Sequence, residues 1–288
     1  MKGIILAGGL GTRLRPLTTS ISKQLLPVYD KPMIYYPLSV LMLADIREIL
    51  IISTPNHLAL YKELLGDGSR FGVSLQYMIQ EKADGLPQAF IIGEEFINGE
   101  SCALVLGDNI FYGEKFSDKL LRAKKRKAGA TLFTYSVLNP QDFGVLEDDE
   151  NGNLLSIEEK PIKPKSNQAI TGLYFFDKEC VEFSKSLSLS KRGELEIISL
   201  ISKYVEHSSK IYIEKLGRGF AWLDTGTYDS LLEASSFVQT LEKRQGFKIA
   251  CLEEIAFNKG WIDKKSLAMS VKLNGSSSYG KYLKKLFS

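Results

Sequence analysis

Several short segments of this chain concentrate residue types suited to phosphate chemistry. In Leu6-Ala-Gly-Gly-Leu-Gly-Thr-Arg-Leu14, Gly8, Gly9 and Gly11 run directly into Thr12 and Arg13. Bare backbone lets N–H groups approach phosphate oxygens, and a guanidinium grips them in a fork. Arg15 adds a second cation, which argues against a tight turn that holds no ligand. Asp108 ends the apolar run Leu104-Val-Leu-Gly-Asp108, and Asp224 ends another, in Phe220-Ala-Trp-Leu-Asp224. Each carboxylate could cap a following helix or hold a metal. Taken together, facing one phosphate cradle, they suit a magnesium ion shared with substrate phosphates. Lys23 and Gln24 follow the cradle, and Lys160 stands before Pro161 at a strand end, where the backbone is restricted. Gln80 precedes Asp84-Gly85-Leu86; a buried amide there could read the edge of a base, and a surface loop is the competing reading.

Other glycine-rich chemistries do not fit. A dinucleotide turn needs G-x-G-x-x-G, but Leu14 stands at the third glycine, and the second strand ends in Ser53-Thr54-Pro55 without an acid. A P-loop needs Gly-Lys-Ser/Thr, which does not follow. The 288 residues carry a net charge of +3, which gives no reason to expect nucleic acid or a membrane surface as partner. The basic run Arg122–Lys127 reads as the solvated face of a helix, with polyanion binding as the minor alternative. Cys102, Cys180 and Cys251 are far apart and odd in number, so neither a zinc site nor a disulfide framework is expected. The apolar start stops at the glycines, and Met33–Ala44 is too short to span a bilayer, so a cytoplasmic protein is expected.

The elements that must position these residues alternate through the first half. Strands are predicted at Lys2–Ala7, Glu48–Ser53, Ser74–Gln80, Ser101–Leu106 and Ala130–Val137, with helices near Met33–Ala44, His57–Leu65, Pro87–Ile92 and Lys115–Ala128. Such alternation predicts an α/β fold with a mostly parallel central sheet covered on both faces. Ligands of such sheets sit beyond the carboxyl ends of the strands, which gathers the glycine turn, the segment after Gln80 and Asp108 around one crevice. The second half predicts a mixed or antiparallel section: strands at Phe143–Glu147, Leu154–Glu159, Ile170–Phe176 and Lys210–Lys215, with helices at Lys178–Leu187, Glu194–Glu206 and Thr227–Gln245. A catalytic domain over residues 1–245 is expected, with a nucleotide part to about 137 and a sugar-phosphate part over about 138–230. Residues 246–288 form a helical extension too small to fold alone, which should pack on the main domain or a neighbouring subunit.

In order, Leu6–Leu14, Ser22-Lys-Gln-Leu-Leu-Pro-Val-Tyr-Asp-Lys-Pro-Met33, Leu106-Gly-Asp-Asn109, Glu158-Glu-Lys-Pro161, Ile170-Thr-Gly-Leu-Tyr174, Arg192-Gly-Glu-Leu-Glu196 and Trp222-Leu-Asp-Thr-Gly226 resemble the sugar-1-phosphate nucleotidylyltransferase family. Within it, the resemblance is to the branch that transfers thymidylyl from dTTP to glucose 1-phosphate. It implies a Rossmann-like fold of the nucleotide-diphospho-sugar transferase type. It places Gly8, Gly11, Thr12, Arg13 and Gln24 on the nucleoside triphosphate, with Gln80 and Gly85 at the pyrimidine. It gives Asp108 and Asp224 the catalytic Mg2+, Glu159 the sugar hydroxyls and Lys160 the sugar phosphate. Gly144, Asn109, Ile170 and Trp222 would line the sugar side. It also implies a homotetramer with an intersubunit site for a dTDP-sugar end product, at Tyr112, Gly113, Arg218, Gly219, Glu254 and Ile255. Phe143, Ile198-Ser199 and Asn258 depart from residues common in the family.

The implied nucleophile is a phosphate oxygen already ionised at neutral pH, so no strong general base is needed. The task is to bring two polyanions together and stabilise charge on the attacked phosphorus, which falls to Mg2+, Arg13 and Lys23. A UTP-using relative is a close rival, because one methyl group discriminates only about 10–200-fold. A catalytically silent nucleotide-sugar sensor would not need both metal carboxylates. Arg13→Ala should lower turnover about 10²–10³-fold while leaving thermal stability near wild type; steady-state kinetics beside a melting curve checks both.

Overall fold

The computed structural model describes residues 1–9 and 11–287. In chain order its elements are β1 (Lys2–Ala7), β2 (Pro27–Val28), β3 (Lys31–Pro32), α1 (Tyr35–Leu43), β4 (Glu48–Ser53), α2 (Leu58–Leu65), β5 (Ser74–Ile79), α3 (Gln88–Ile92), α4 (Glu94–Ile97), β6 (Cys102–Leu106), β7 (Asn109–Tyr112), α5 (Phe116–Lys125) and β8 (Ala130–Ser136). There follow β9 (Gly144–Asp148), β10 (Leu154–Glu159), β11 (Gln168–Phe176), α6 (Cys180–Lys185), α7 (Ile197–Glu206), β12 (Ile211–Leu216), β13 (Ala221–Asp224), α8 (Tyr228–Gln245), α9 (Leu252–Asn258), α10 (Lys264–Asn274) and α11 (Ser278–Lys285).

Strand β1 is the axis of the main sheet. It pairs in parallel with β4 on one side and β6 on the other, and β5 continues beyond β4. Ile4 and Ile5 point to opposite faces, and both are fully buried. Ile5, Ile49, Ile51 and Val105 join one core cluster with α1, whereas Ile4, Leu50, Ile52 and Leu104 join another with α3 and α7. Burial on both faces is why these strands read as unbroken apolar runs. The chain leaves β1 toward β4 and returns to β6 on its other flank, which makes the carboxyl end of β1 a topological switch point.

Beyond β6 the sheet turns antiparallel. β11 pairs with β6 and β8, and β12 extends β8 in parallel. The register of β11 against β8 shifts between Ile170 and Tyr174. Away from the main sheet, β7 and β13 form a two-stranded ribbon, with Asp224 opposite Asn109.

Some details differ from the sequence expectations. After β1 the backbone makes a 3-10 turn over Thr12–Leu14, which the sequence reading did not specify. No helix follows Asp108, which sits in the tight connection between β6 and β7, so the capping reading fails there. It fails for Asp224 too, because Thr227 caps α8 in a reciprocal box with Ser230. The basic run is not simply solvated: Arg122 and Arg126 both bond Glu214, at 2.8 and 2.6 Å. The hairpin of β2 and β3 and the helix α4 were not foreseen.

The last three helices share the main core. Leu252, Ala256, Leu267 and Leu283 belong to the same cluster as Ile5 and α1. A buried ion network fastens this region. Lys31 bonds Glu242 at 2.9 Å, Lys248 bonds the other oxygen of Glu242 at 2.9 Å, and both lysines reach Asp30. No helix is long and apolar enough to cross a membrane among the described residues.

Glu253, on α9, is only 3% exposed and accepts a hydrogen bond from Tyr279 of α11 at 2.6 Å. Burial pushes its carboxyl above the ordinary 4.5, more than Tyr279 pulls it down. The native state therefore holds the protonated form better than the unfolded chain does, and the wild type loses that advantage as pH rises from 4.5 through the raised value. Glu253→Gln keeps an acceptor for Tyr279 and cannot ionise. The melting temperature of the variant minus that of the wild type should climb across that window and then level off.

Candidate functional site

A cleft opens at the carboxyl ends of β1, β5 and β6, in two lobes. The larger lobe encloses about 730 Å3 and the smaller about 230 Å3, and both are walled by Leu86, Leu106 and Asp108. Asp108 thus stands where the lobes meet.

The β7–β13 ribbon places Asp224 one residue across from Asp108. Asp108 is held firmly: Lys23 donates to its Oδ2 at 2.7 Å, Asn109 Nδ2 donates to its Oδ1 at 3.0 Å, and the Thr225 hydroxyl donates to its carbonyl at 3.1 Å. Burial and then the Asp108 charge push the Asp224 carboxyl above its ordinary value, while Lys23 and Arg13 pull it back. Arg13 lies beside it. A Cβ on Gly226 would stand 3.2 Å from Arg13 Nη2 and 3.3 Å from Asp224 Oδ2. Among the described residues no group of three or more His, Cys, Asp or Glu side chains gathers to hold a metal. Two carboxylates alone, with hard oxygen donors, fit an ion that keeps waters and completes its shell with substrate phosphates.

The predicted nucleotide residues divide by role. Gln24 and Gln80 wall the smaller lobe and are almost fully buried. The Gln24 Oε1 already accepts from Ser22 at 2.7 Å and from Tyr61 at 3.3 Å, so its amide nitrogen is the end left to donate. Gln80 donates to Gln88 Oε1 at 2.6 Å, which leaves its own oxygen for other partners. That oxygen lies 2.4 Å from where a Cβ on Gly8 would stand, so Gly8 must be bare to admit it. Gly11 adopts a left-handed φ of 59° and packs on Thr18, whose hydroxyl bonds its carbonyl at 2.7 Å. Gly8, Gly11 and Thr12 shape the turn and do not wall either lobe.

Gly144, Glu159, Lys160, Ile170, Trp222 and Asn109, the residues the resemblance put on the sugar side, all line the larger lobe. Glu159 and Gly144 face each other across the β9–β10 pair. Burial and then Glu196 raise the Glu159 carboxyl, against Lys160 and Arg192. Lys160 leaves β10 at a left-handed φ of 44°, with its N–H bonded to the Phe143 carbonyl at 3.0 Å.

Arg192 was missed as a site residue. It reaches Glu159 at 3.4 Å and Glu194 at 3.3 Å. With Lys160 and Lys191 it borders an open cavity of about 620 Å3 next to the larger lobe. Its setting among glutamates, in Arg192-Gly-Glu-Leu-Glu196, was the available signal. Thr225 was also missed, though it directly follows Asp224.

Of the residues expected at a regulatory site, Tyr112, Gly113, Glu254 and Ile255 line one cavity of about 270 Å3 between β7 and α9. Arg218 and Gly219 do not line it; they sit in the turn before β13, whose Phe220 packs against Gly113.

Gly85 shows why a glycine is required. Its φ is +107°, and a Cβ there would lie 2.0 Å from the Leu195 carbonyl oxygen. The two residues form a parallel bridge that ties the smaller lobe to the 190s loop. Gly85→Ala should cost about 1–3 kcal/mol of stability and expose the 190–196 loop to protease, read by melting and limited proteolysis.

The family model described as nucleotidyl transferase matches residues 2–240. A protein of Neisseria meningitidis serogroup A, named glucose-1-phosphate thymidylyltransferase, is 58% identical over 286 residues, covering 99% of each chain. A Mycobacterium tuberculosis protein of the same name is 52% identical over 286 residues, again covering 99% of each. Among solved structures, a Bacillus anthracis chain assigned as a glucose-1-phosphate thymidylyltransferase, in complex with a sucrose, aligns with a TM-score of 0.76 at 39% identity. The alignment covers 82% of this chain and 94% of that one.

Proposed function

This chain belongs to the nucleotidyl transferase family, and we propose that it transfers a thymidylyl group from dTTP to glucose 1-phosphate, giving dTDP-glucose and pyrophosphate. Relatives above half identity along the whole chain carry that name, and the two-lobed cleft has the form the reaction needs. The observation that carries the reading is Asp108 at the junction of the lobes, next to Asn109, whose partner across the ribbon is Asp224.

In this reading the smaller lobe takes the thymine, with Gln24 and Gln80 on its polar edge. The larger lobe takes the sugar, with Glu159 accepting from its hydroxyls and Lys160 and Arg192 on its phosphate. A phosphate oxygen of the sugar 1-phosphate attacks the α-phosphorus. A new P–O bond forms on one side, and the bond to the departing pyrophosphate breaks on the other. Both reactants are anions, so the groups that matter are those that offset charge. Arg13 beside Asp224 and Lys23 on Asp108 place positive charge at the junction. Asp108 and Asp224 would hold magnesium, which would supply divalent charge to offset that of the substrate phosphates.

The same reading makes the cavity between β7 and α9 the place where a dTDP-sugar end product acts, in a homotetramer. The product supplies dTDP-sugar synthesis of the rhamnose type in the cytoplasm. Pyrophosphate release should be fast with dTTP, glucose 1-phosphate and Mg2+, slower with UTP, and abolished by chelation. Release only with another nucleotide would overturn the thymidylyl assignment, and no release with any would overturn the reaction.

A further inference from the structure

The sequence resemblance casts Asn109 and Trp222 as walls for the sugar, yet their polar atoms are engaged elsewhere. Asn109 Oδ1 accepts two hydrogen bonds, from Trp222 Nε1 at 2.6 Å and from the Gly172 N–H at 3.0 Å. The amide nitrogen donates to Asp108 Oδ1 at 3.0 Å. An amide flipped the other way would set a nitrogen against two donors and an oxygen against a carboxylate. Two donors on one end therefore fix the orientation of the whole amide, with its N–H on Asp108.

The fold supplies both donors for this purpose. Trp222 and Asp224 are two residues apart on β13 and so project from one face of the ribbon. Asn109 lies opposite Asp224, which puts the indole diagonally across from it, within reach of a long side chain. Gly172 lies in the register shift of β11 between Ile170 and Tyr174, where ladder pairing is interrupted. An irregularity of this kind re-aims a backbone group, here an N–H toward Asn109. A Cβ on Gly172 would stand 2.7 Å from Asn109 Oδ1, so only glycine admits the contact. Asn109 is 4% exposed and Trp222 is 9% exposed, so water competes little for these bonds.

We infer that Trp222 and Asn109 are positioning residues for the metal carboxylate: the indole N–H and the Gly172 N–H orient the Asn109 amide, which orients Asp108. Lys23 holds the other oxygen of Asp108 at 2.7 Å, so the carboxylate is fixed from two sides. Carboxylates that hold metals depend on such outer partners, whose loss typically costs about 10–100-fold in metal affinity or activity. The inference rests on the reading of Asp108 as a metal carboxylate, and the test separates the two.

Trp222→Phe removes the N–H and keeps an aromatic wall; Asn109→Ser removes the amide link. Mn2+, read by its EPR signal, is titrated into the full chain saturated with dTDP-glucose, for wild type, both variants and Asp108→Asn. Melting curves establish that each is folded. Both relay variants should bind Mn2+ about tenfold more weakly than the wild type. Wild-type Mn2+ affinity in Trp222→Phe and Asn109→Ser, with loss in Asp108→Asn, would overturn the relay and keep the metal reading. Unchanged affinity in Asp108→Asn would overturn the metal reading and, with it, the purpose of the relay.

Discussion

Two like charges held side by side in a half-buried place set the terms for everything around them. Asp108 and Asp224 come from segments more than a hundred residues apart, and burial together with the Asp108 charge raises the cost of ionising Asp224. The chain holds the backbone beside them in a short ribbon and offsets the charge with Lys23 and Arg13. A pair kept under such electrostatic tension gains from any cation that enters with its own negative partners, as a metal–triphosphate complex does.

The surrounding glycines answer to this arrangement more than to ligand contact. Gly8 makes room for the Gln80 amide, Gly85 for the Leu195 carbonyl and Gly172 for the Asn109 amide. In each case a backbone surface approaches so closely that a methyl group has no place. The cradle is thus held by side chains pressed onto bare backbone, and its rigidity comes from packing as well as hydrogen bonds.

Much of this was legible in the sequence, for identifiable reasons. β1, β4 and β10 were bounded correctly to the residue, because a continuous apolar run or a steady alternation ends abruptly at glycine, turn or proline. Six residues that the resemblance put on the sugar side, Asn109, Gly144, Glu159, Lys160, Ile170 and Trp222, are among those that wall the larger lobe. What stayed hidden depends on non-local pairing. β7 and β13 are four residues each, too short for a period to show, and their partnership joins residues more than a hundred positions apart. For that reason each carboxylate, taken alone, could equally be read as a helix cap in the case of Asp108, and better so in the case of Asp224. The side-chain bonds of Asn109 were beyond reach for a similar reason: its partners lie 63 and 113 positions away.

The buried network of Lys31, Asp30, Glu242 and Lys248 changes what the C-terminal extension is. Its two lysines and two acids come from the hairpin near the start of the chain, the end of α8 and the first residues beyond it. The apolar face of α9 closes over α1 in the same core that contains β1. A boundary drawn at residue 245 therefore cuts through a largely buried charge cluster and a shared core. A chain ended there would bare the α1 surface and strip Glu242 of one of its two cations. The extension is better regarded as the final layer of the catalytic domain than as an appendage to it. Loosening its helices would open the core that lies against α1 rather than release a separate unit.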